Sequence, residues 1–467
     1  MQKIIHSKFF FISALLVLHA LFFMYAVHSG NIYLHNDSDE YLQQAENLKQ
    51  HYSSYAGDWN QPVSNYLVSR RPPFSGFFIM TVKTIYNSDF AVCFVQCLLS
   101  IFNLLLVVKL IRNFFPGWNK YGKLLFLLLF FSTQFIYSNM IMMEVLFQTM
   151  LILSFYFIIE YFDTKKSIHF LMFHIFLTAA VLIKPVLYLF WIPLLFFMIW
   201  MLWKKIIKPV QLSFILIFVT IIFFISFHNY KKTGYFHYSS VNENYIVNYS
   251  VYLTLADKEK GAAAERKISE MMKEAASKSN YHDYSVFVRQ ESFRIIKDNL
   301  SSFIFLQVKG VINFFIDHGR WDMYAFFDKQ PKENVKGWKY YYQLEGIKGA
   351  LNYLNQFPVL LFIYLVLVYF VNALITISFI LFLSDKKINP AVRIIIFLFI
   401  IYIAIVTGMI GSARFRMAVY PFLLFAFPFG YEKLKNILQR DKRKEKMQYL
   451  FSLSSLLILS LFNHLCH

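Results

Sequence analysis

The string NDSDEYLQQAENL, residues 36–48, gathers four acidic groups just beyond an apolar run, Phe9 to Val27, of nineteen residues without Asp, Glu, Lys or Arg. A run of that length crosses a bilayer as a helix, so Asp37, Asp39 and Glu40 sit where the chain emerges into water. Tyr41, Ala45 and Leu48 follow at spacings of four and three, one face of a helix able to lie on the membrane surface. A carboxylate at a water–lipid boundary, beside an apolar helix, is placed to act on a substrate that is half sugar and half lipid. The plainer alternative is that these acids are the polar flank of a membrane helix. The other charges of the chain decide between the two.

Few charges remain in the short connections on the same face. Glu144 opens an apolar run in SNMIMMEVLFQTM, and Lys184 precedes Pro185 at a turn. Arg70 and Arg71 precede Pro72 and Pro73, while Arg414 and Arg416 open SARFRMAVYPFLL. Ionisable groups at membrane depth cost free energy, so each needs a partner or a function. Snorkelling to the headgroups accounts for Lys184 as well as ligand binding does; for Glu144, with its short side chain, it is a poorer account. Arginine pairs phosphate oxygens bidentately, and a carboxylate serves as general base for an incoming hydroxyl. Acids and several cations together suit a phosphate-bearing lipid attacked at a neighbouring carbon. No glycine-rich phosphate loop, HExxH or GxSxG pattern is present. The thirteen histidines are scattered, and the pair Asp317–His318 reads as structural.

The elements that must carry these groups follow from composition. The chain is 58% hydrophobic and 16% charged, with a positive mean hydropathy. Its 467 residues would make about three soluble domains, but apolar runs of about twenty residues recur throughout, and only an all-α polytopic membrane protein accommodates them. The net charge of +19 is spread over the loops rather than gathered into one face, which argues against nucleic acid as a partner. Cys93 and Cys97 fall within an apolar run and read as helix-packing residues, and no disulfide framework is implied.

About eleven transmembrane helices are expected, near 9–29, 90–111, 123–140, 145–162, 168–183, 186–203, 210–228, 356–383, 391–410, 417–434 and 447–464. With Lys3 and Lys8 in the cytoplasm, alternate loops collect Arg112, Lys120 and Lys123, then Lys165 and Lys166, then Lys204, Lys205 and Lys208, then Lys386, Lys387 and Arg393. The densest basic run, 432–446, falls on the same side, and no basic residue lies between Phe131 and Ile159. The segment from Pro73 to Tyr86 is short and carries Lys83, so it is expected to lie on the outer face. The expected organisation is an N-terminal membrane module, 1–228, whose first outer loop is 30–89; an extracytoplasmic helical segment, 229–355; and C-terminal membrane helices, 356–467. Within the second of these, DKEKGAAAERKISEMMKEAASK reads as a solvated helix, and 292–321 as a return to the membrane surface.

Several elements in order resemble the GT-C superfamily of polyprenyl-phosphate-dependent glycosyltransferases, especially its protein O-mannosyltransferase and aminoarabinose transferase branch. They are Asp37 four before Tyr41 and eight before Ala45, Arg71-Pro72-Pro73, Glu144 opening a helix, Lys184-Pro185, and Arg414-Phe415-Arg416 ahead of Tyr420-Pro421. The resemblance implies a first outer loop with the catalytic Asp and surface helices, and a donor such as an undecaprenyl-phosphate sugar. By position, Asp37 takes the catalytic role and Arg71 the contact to the lipid phosphate. One departure is that Glu144 has no second acid beside it, unlike the metal site of oligosaccharyltransferases. A divalent metal therefore stays an open cofactor with no ligands assigned.

The function expected is an inverting glycosyltransferase of the bacterial inner membrane. It moves a sugar from a polyprenyl-phosphate carrier to a glycan, lipid or protein acceptor on the outer face. Asp37 is the expected base; Arg71 and Arg414 or Arg416 hold the donor phosphate, with Tyr41, Glu144 and Lys184 at the substrate site and Asp39 and Glu40 as lesser contributors. A surface-polysaccharide polymerase or ligase shares these features. A lipid-linked glycan transporter would carry its charges in mid-helix, lining a path.

Overall fold

A computed structural model describes residues 7–34, 36–116, 118–259, 261–327 and 359–439, and every regular element among them is helical. The first helix, α1 (Lys8–Ser29), begins where the Ser7 side chain accepts the Phe10 amide at 3.0 Å and ends at Gly30 in the left-handed region. After it come α2 (Asp37–His51), α3 (Pro73–Ile85) and α4 (Asp89–Phe114). The next apolar run breaks into α5 (Tyr121–Leu129) and α6 (Thr133–Ser138), followed by α7 (Glu144–Thr164). The chain continues through α8 (Ser167–Val181), α9 (Trp191–Trp203) and α10 (Ile215–Thr233). The later helices that matter for the site are α11 (Tyr281–Asp298), α12 (Leu300–Ile316), α13 (Arg320–Phe327), α14 (Val359–Leu383), α15 (Pro390–Thr407), α16 (Ala413–Met417) and α17 (Tyr420–Gln439).

Six of the described helices are long and apolar enough to cross a membrane, or up to seven if α11 and α12, bent by 94°, count as one span. That is fewer than the eleven expected. The runs at 168–183 and 186–203 form α8 and α9, of 15 and 13 residues, about 20 Å each against a hydrocarbon core of about 30 Å. The run at 123–140 is interrupted between α5 and α6. The run at 417–434 falls almost wholly within α17, a 20-residue helix that contains Pro428, and that at 447–464 lies outside the described residues. The segment from Pro73 is a 13-residue helix, α3, too short to span, packed against α2 and α4.

The centre of the bundle is α7, which packs on α4, α8, α16 and α17. Neutral polar side chains tie it together at depth. His19 Nε2 meets Ser100 Oγ at 2.9 Å, Gln134 donates to the same Oγ at 2.8 Å, and Gln134 and Gln148 exchange two hydrogen bonds of 3.0 Å. Gln148 then donates to the Met417 carbonyl at 2.6 Å, fixing the end of α16. Among lipid chains such groups have no water to turn to, so interhelical pairing holds the helices in register. A second anchor is steric: a Cβ at Gly310 of α12 would lie 2.0 Å from the Gly408 carbonyl oxygen, so only glycine permits that approach.

Residues 246–295 form two small apolar clusters of their own, one around Val247, Met271, Ala275 and Val288, the other around Val251, Leu255 and Ala264. The helix Gly261–Ala276 is largely exposed on its other faces, as the charge spacing implies. The segment leading into this part is tied to the Asp37 end of the bundle. Ser239 donates to the Arg70 carbonyl at 3.0 Å, and Ser69 Oγ lies 2.6 Å from His237 Nε2.

Candidate functional site

Four separate stretches of chain converge where α1 ends. Ile141 N–H donates to Ile32 O at 2.7 Å, and Ser38 Oγ donates to Ile141 O at 2.9 Å. Those two bonds lay the start of α2 against the irregular segment that leads into Glu144. On the other side Phe74 N–H donates to Leu182 O at 3.1 Å and Ser75 Oγ to Ile183 O at 3.0 Å, which seats the start of α3 against the turn that carries Lys184. The turn at Arg71 is itself clipped by the buried Gln44, which donates to Arg71 O and accepts from Gly76 N–H, both at 2.9 Å. Pro72 is extended, with φ −59° and ψ 149°, and Pro73 begins α3, where a missing N–H costs nothing. Asn36, immediately before α2, has φ 68°, an uncommon conformation for a residue with a side chain.

Asp37 lies between two guanidinium groups. Arg71 Nη2 donates to Oδ1, and Arg414 Nη2 donates to Oδ2 at 2.6 Å. Arg71 also donates through Nε to Glu40 at 2.5 Å and through Nη1 to the Tyr41 hydroxyl at 3.2 Å, with its guanidinium 4.5 Å from the centre of the Tyr41 ring. Arg414 donates through Nε to Glu144 Oε1 at 2.8 Å, and Lys184 Nζ donates to that same oxygen at 2.6 Å. Arg70 donates to Glu40 at 3.0 Å. The carboxylates Asp37, Glu40 and Glu144 are thus embraced by Arg70, Arg71, Lys184 and Arg414, leaving one positive charge in excess.

Burial raises the proton affinity of Asp37, but the Arg414 and Arg71 guanidinium groups more than offset it and hold the carboxyl well below the usual carboxylate range. In this arrangement Asp37 is ionised but a weak base. Its side chain keeps 23% exposure, against 14% for Glu40 and 2% for Glu144, so Asp37 is the most accessible of the three carboxylates. Glu144 Oε2 is buried with no hydrogen-bond partner among the described residues. These donors do not make a divalent-metal site. The carboxylates already bind arginine and lysine, a further 2+ charge would meet a surplus of cations, and among the described residues no three His, Cys, Asp or Glu side chains come together to hold one.

Of the expected residues, Asp37, Tyr41, Arg71, Glu144, Lys184 and Arg414 meet in this cluster, and Arg416 does not. Arg416 is 1% exposed and donates to the carbonyls of Phe314, Phe315 and Asp317 at 3.2, 2.5 and 2.7 Å, capping the end of α12. Two residues apart on a helix point to different sides, so only one arginine of the Arg-Phe-Arg run can face Asp37. Asp39 and Glu40, grouped together from sequence, also part company. Asp39 is exposed, whereas Glu40 bridges Arg70 and Arg71.

Asp317 Oδ2 accepts the Ala413 N–H at 2.6 Å, which starts α16 and aims Arg414, so its role here is structural. Sequence reasoning missed Asp322. This carboxylate is 3% exposed and accepts from Tyr137 at 2.8 Å and Thr133 at 3.1 Å, while the Tyr137 ring lies 5.7 Å from the Arg414 guanidinium carbon. Burial, with the nearby Asp317 carboxylate adding to it, pushes the Asp322 carboxyl up to about 7 against those two hydrogen bonds. No spacing or motif around Asp322 announces this placement.

Residues 70–228 match the family model described as dolichyl-phosphate-mannose-protein mannosyltransferase, about a third of the chain. No curated protein matches. Two crystal structures of ArnT from Cupriavidus metallidurans, one apo and one bound to undecaprenyl phosphate, align at 12% and 13% identity over 86% of this chain and 76% of theirs. Their TM-score of 0.35 is too low to argue from. The matched stretch contains Arg70, Arg71, Glu144 and Lys184 but neither Asp37 nor Arg414. The resemblance of this chain to the GT-C superfamily therefore rests on a family model over residues 70–228 as well as on its ordered motifs.

Proposed function

We propose that this chain is a membrane glycosyltransferase that moves one sugar from a polyprenyl-phosphate carrier to a hydroxyl or phosphate of a glycan, lipid or protein acceptor. It acts on the outer face of a bacterial inner membrane. The observation that carries the reading is Asp37 held between Arg71 and Arg414, which are 34 and 377 residues away in the chain. The family match supports it, since that family's description names a sugar carried on a lipid phosphate.

In the reaction proposed, the donor phosphate competes with Asp37 for the two guanidinium forks, whose geometry suits phosphate as well as carboxylate. Each arginine that turns to phosphate removes a positive charge from Asp37 and raises its basicity. Asp37 then takes the proton of the acceptor hydroxyl as its oxygen attacks the anomeric carbon from the face opposite the phosphate. The bond from that carbon to the phosphate oxygen breaks, polyprenyl phosphate leaves, and the configuration inverts. Arg71, Arg414 and Lys184 offset the charge that grows on the leaving phosphate. Glu144 has no reacting atom to serve; it holds Arg414 and Lys184 in place. No step requires a metal.

The test is purified full-length protein in detergent with a panel of radiolabelled polyprenyl-phosphate sugars, scored for release of polyprenyl phosphate and for transfer to lipid or glycan acceptors. Turnover of at least one donor, abolished in Asp37→Asn, is the expected result. Binding of donors without any hydrolysis or transfer overturns the enzyme reading in favour of a transporter.

A further inference from the structure

At the opposite end of the bundle from Asp37, α1 and α4 flank an open cleft of about 580 Å³ whose basic side chains are exposed. Lys8, Lys109 and Arg112 line it beside Ile12, Leu105 and Val108, and no acidic residue contributes to its wall. None of the three cations has a carboxylate partner among the described residues; Lys109 rests on Tyr156, 3.1 Å from its hydroxyl and 4.6 Å from the ring centre. A cation at a helix end is ordinary, because it snorkels to water and complements the helix dipole. Three of them converging on one concave space, without a counter-charge and with an apolar wall alongside, describe a receptor for an anion joined to a hydrocarbon.

We propose that this cleft binds the phosphate headgroup of an anionic glycerophospholipid. Lys8, Lys109 and Arg112 hold the phosphate, and the acyl chains run along Ile12, Leu105 and Val108. The volume lies in the range of about 300–1,000 Å³ usual for small-molecule pockets, and basic clefts between membrane helices recognise lipid headgroups in this way. The site is independent of the glycosyltransferase reading, since it shares no residue with the Asp37 cluster.

The test is native mass spectrometry of the full-length protein, delipidated in a neutral detergent and then offered phosphatidylglycerol, phosphatidylcholine or inorganic phosphate. Each basic contact is worth a factor of roughly five, so phosphatidylglycerol is expected to be retained on the order of a hundredfold better than phosphatidylcholine. The combined variant Lys8→Gln, Lys109→Gln, Arg112→Gln should lose that preference. The charge-keeping variant Lys8→Arg, Lys109→Arg, Arg112→Lys should retain it, which separates charge recognition from a folding defect. Equal retention of the two lipids by the wild type, or an undiminished preference in the Gln variant, overturns the proposal. Displacement of phosphatidylglycerol by millimolar inorganic phosphate would assign the cleft to a free anion instead and overturn the lipid assignment.

Discussion

Arg414 reaches Asp37 across 377 residues of chain, its Nη2 donating to Oδ2 at 2.6 Å while its Nε holds Glu144 at 2.8 Å. One guanidinium thereby joins a partly exposed carboxylate to a fully buried one. Lysine presents a point charge rather than a planar fork and cannot hold both carboxylates with the same geometry. Arg414→Lys is expected to raise donor KM and lower kcat together, with a partial loss in each. Steady-state kinetics against donor concentration check this. Wild-type KM and kcat in that variant would remove Arg414 from donor binding.

Replacing the three acids at the start of α2 should give three different results. Asp37→Asn keeps the shape but removes the base, a loss of about 10²–10⁴-fold in rate. Asp39→Asn should leave turnover within a few-fold, because Asp39 is exposed and supplies at most a helix-dipole contact of roughly 0.3–1 kcal/mol. Glu40→Gln falls between them, since Arg70 and Arg71 lose the carboxylate that aligns them. The measurement is turnover at equal expression and equal melting temperature. A dead Asp39→Asn beside an active Asp37→Asn would move the catalytic assignment by two residues.

The buried Asp322 should make stability depend on pH in the direction opposite to most carboxylates. Its carboxyl is pushed up to about 7 in the folded protein, against about 3.9 in an unfolded chain. Below about pH 4 both states are protonated and the contribution is intact. Between about 4 and 7 the unfolded chain releases the proton and the folded one keeps it, so stability falls as pH rises through this window and levels above it. Asp322→Asn cannot titrate. Its melting temperature in detergent should therefore fall less than the wild type's from about pH 4 to pH 7, with the two curves running parallel above that window. Parallel melting curves would show that Asp322 titrates normally.

Residues 237–240 are bonded to Ser69 and Arg70, so the segment that follows α10 must share a side of the membrane with Asp37. A periplasmic reporter enzyme fused near Ser279 should be active, and a cytoplasmic one silent. The reverse pattern would place the whole charged cluster in the cytoplasm.

By itself the sequence determined a helical membrane protein and marked most of the charged cluster. Those features are local. A run such as Phe9 to Val27 is apolar whatever surrounds it, and the positions of Asp37, Arg71, Glu144, Lys184 and Arg414 at the ends of such runs follow from counting residues. The spacing of Tyr41 and Ala45 also put the two on one helix face, which is buried here, with the Tyr41 ring against Arg71. Tertiary structure decided which charges meet. Arg414 and Arg416 carry the same chemistry two residues apart, yet one clamps Asp37 and the other caps α12, because the Asp317 carboxylate and the Gln148 amide fix how α16 is turned. Asp322 could be placed only by packing, since its partners Thr133 and Tyr137 lie more than 180 residues earlier. Apolar length likewise could not distinguish a spanning helix from the broken pair α5 and α6 or the short α8 and α9. An apolar residue is equally content in lipid or against another helix, and only the packed bundle settles which it meets.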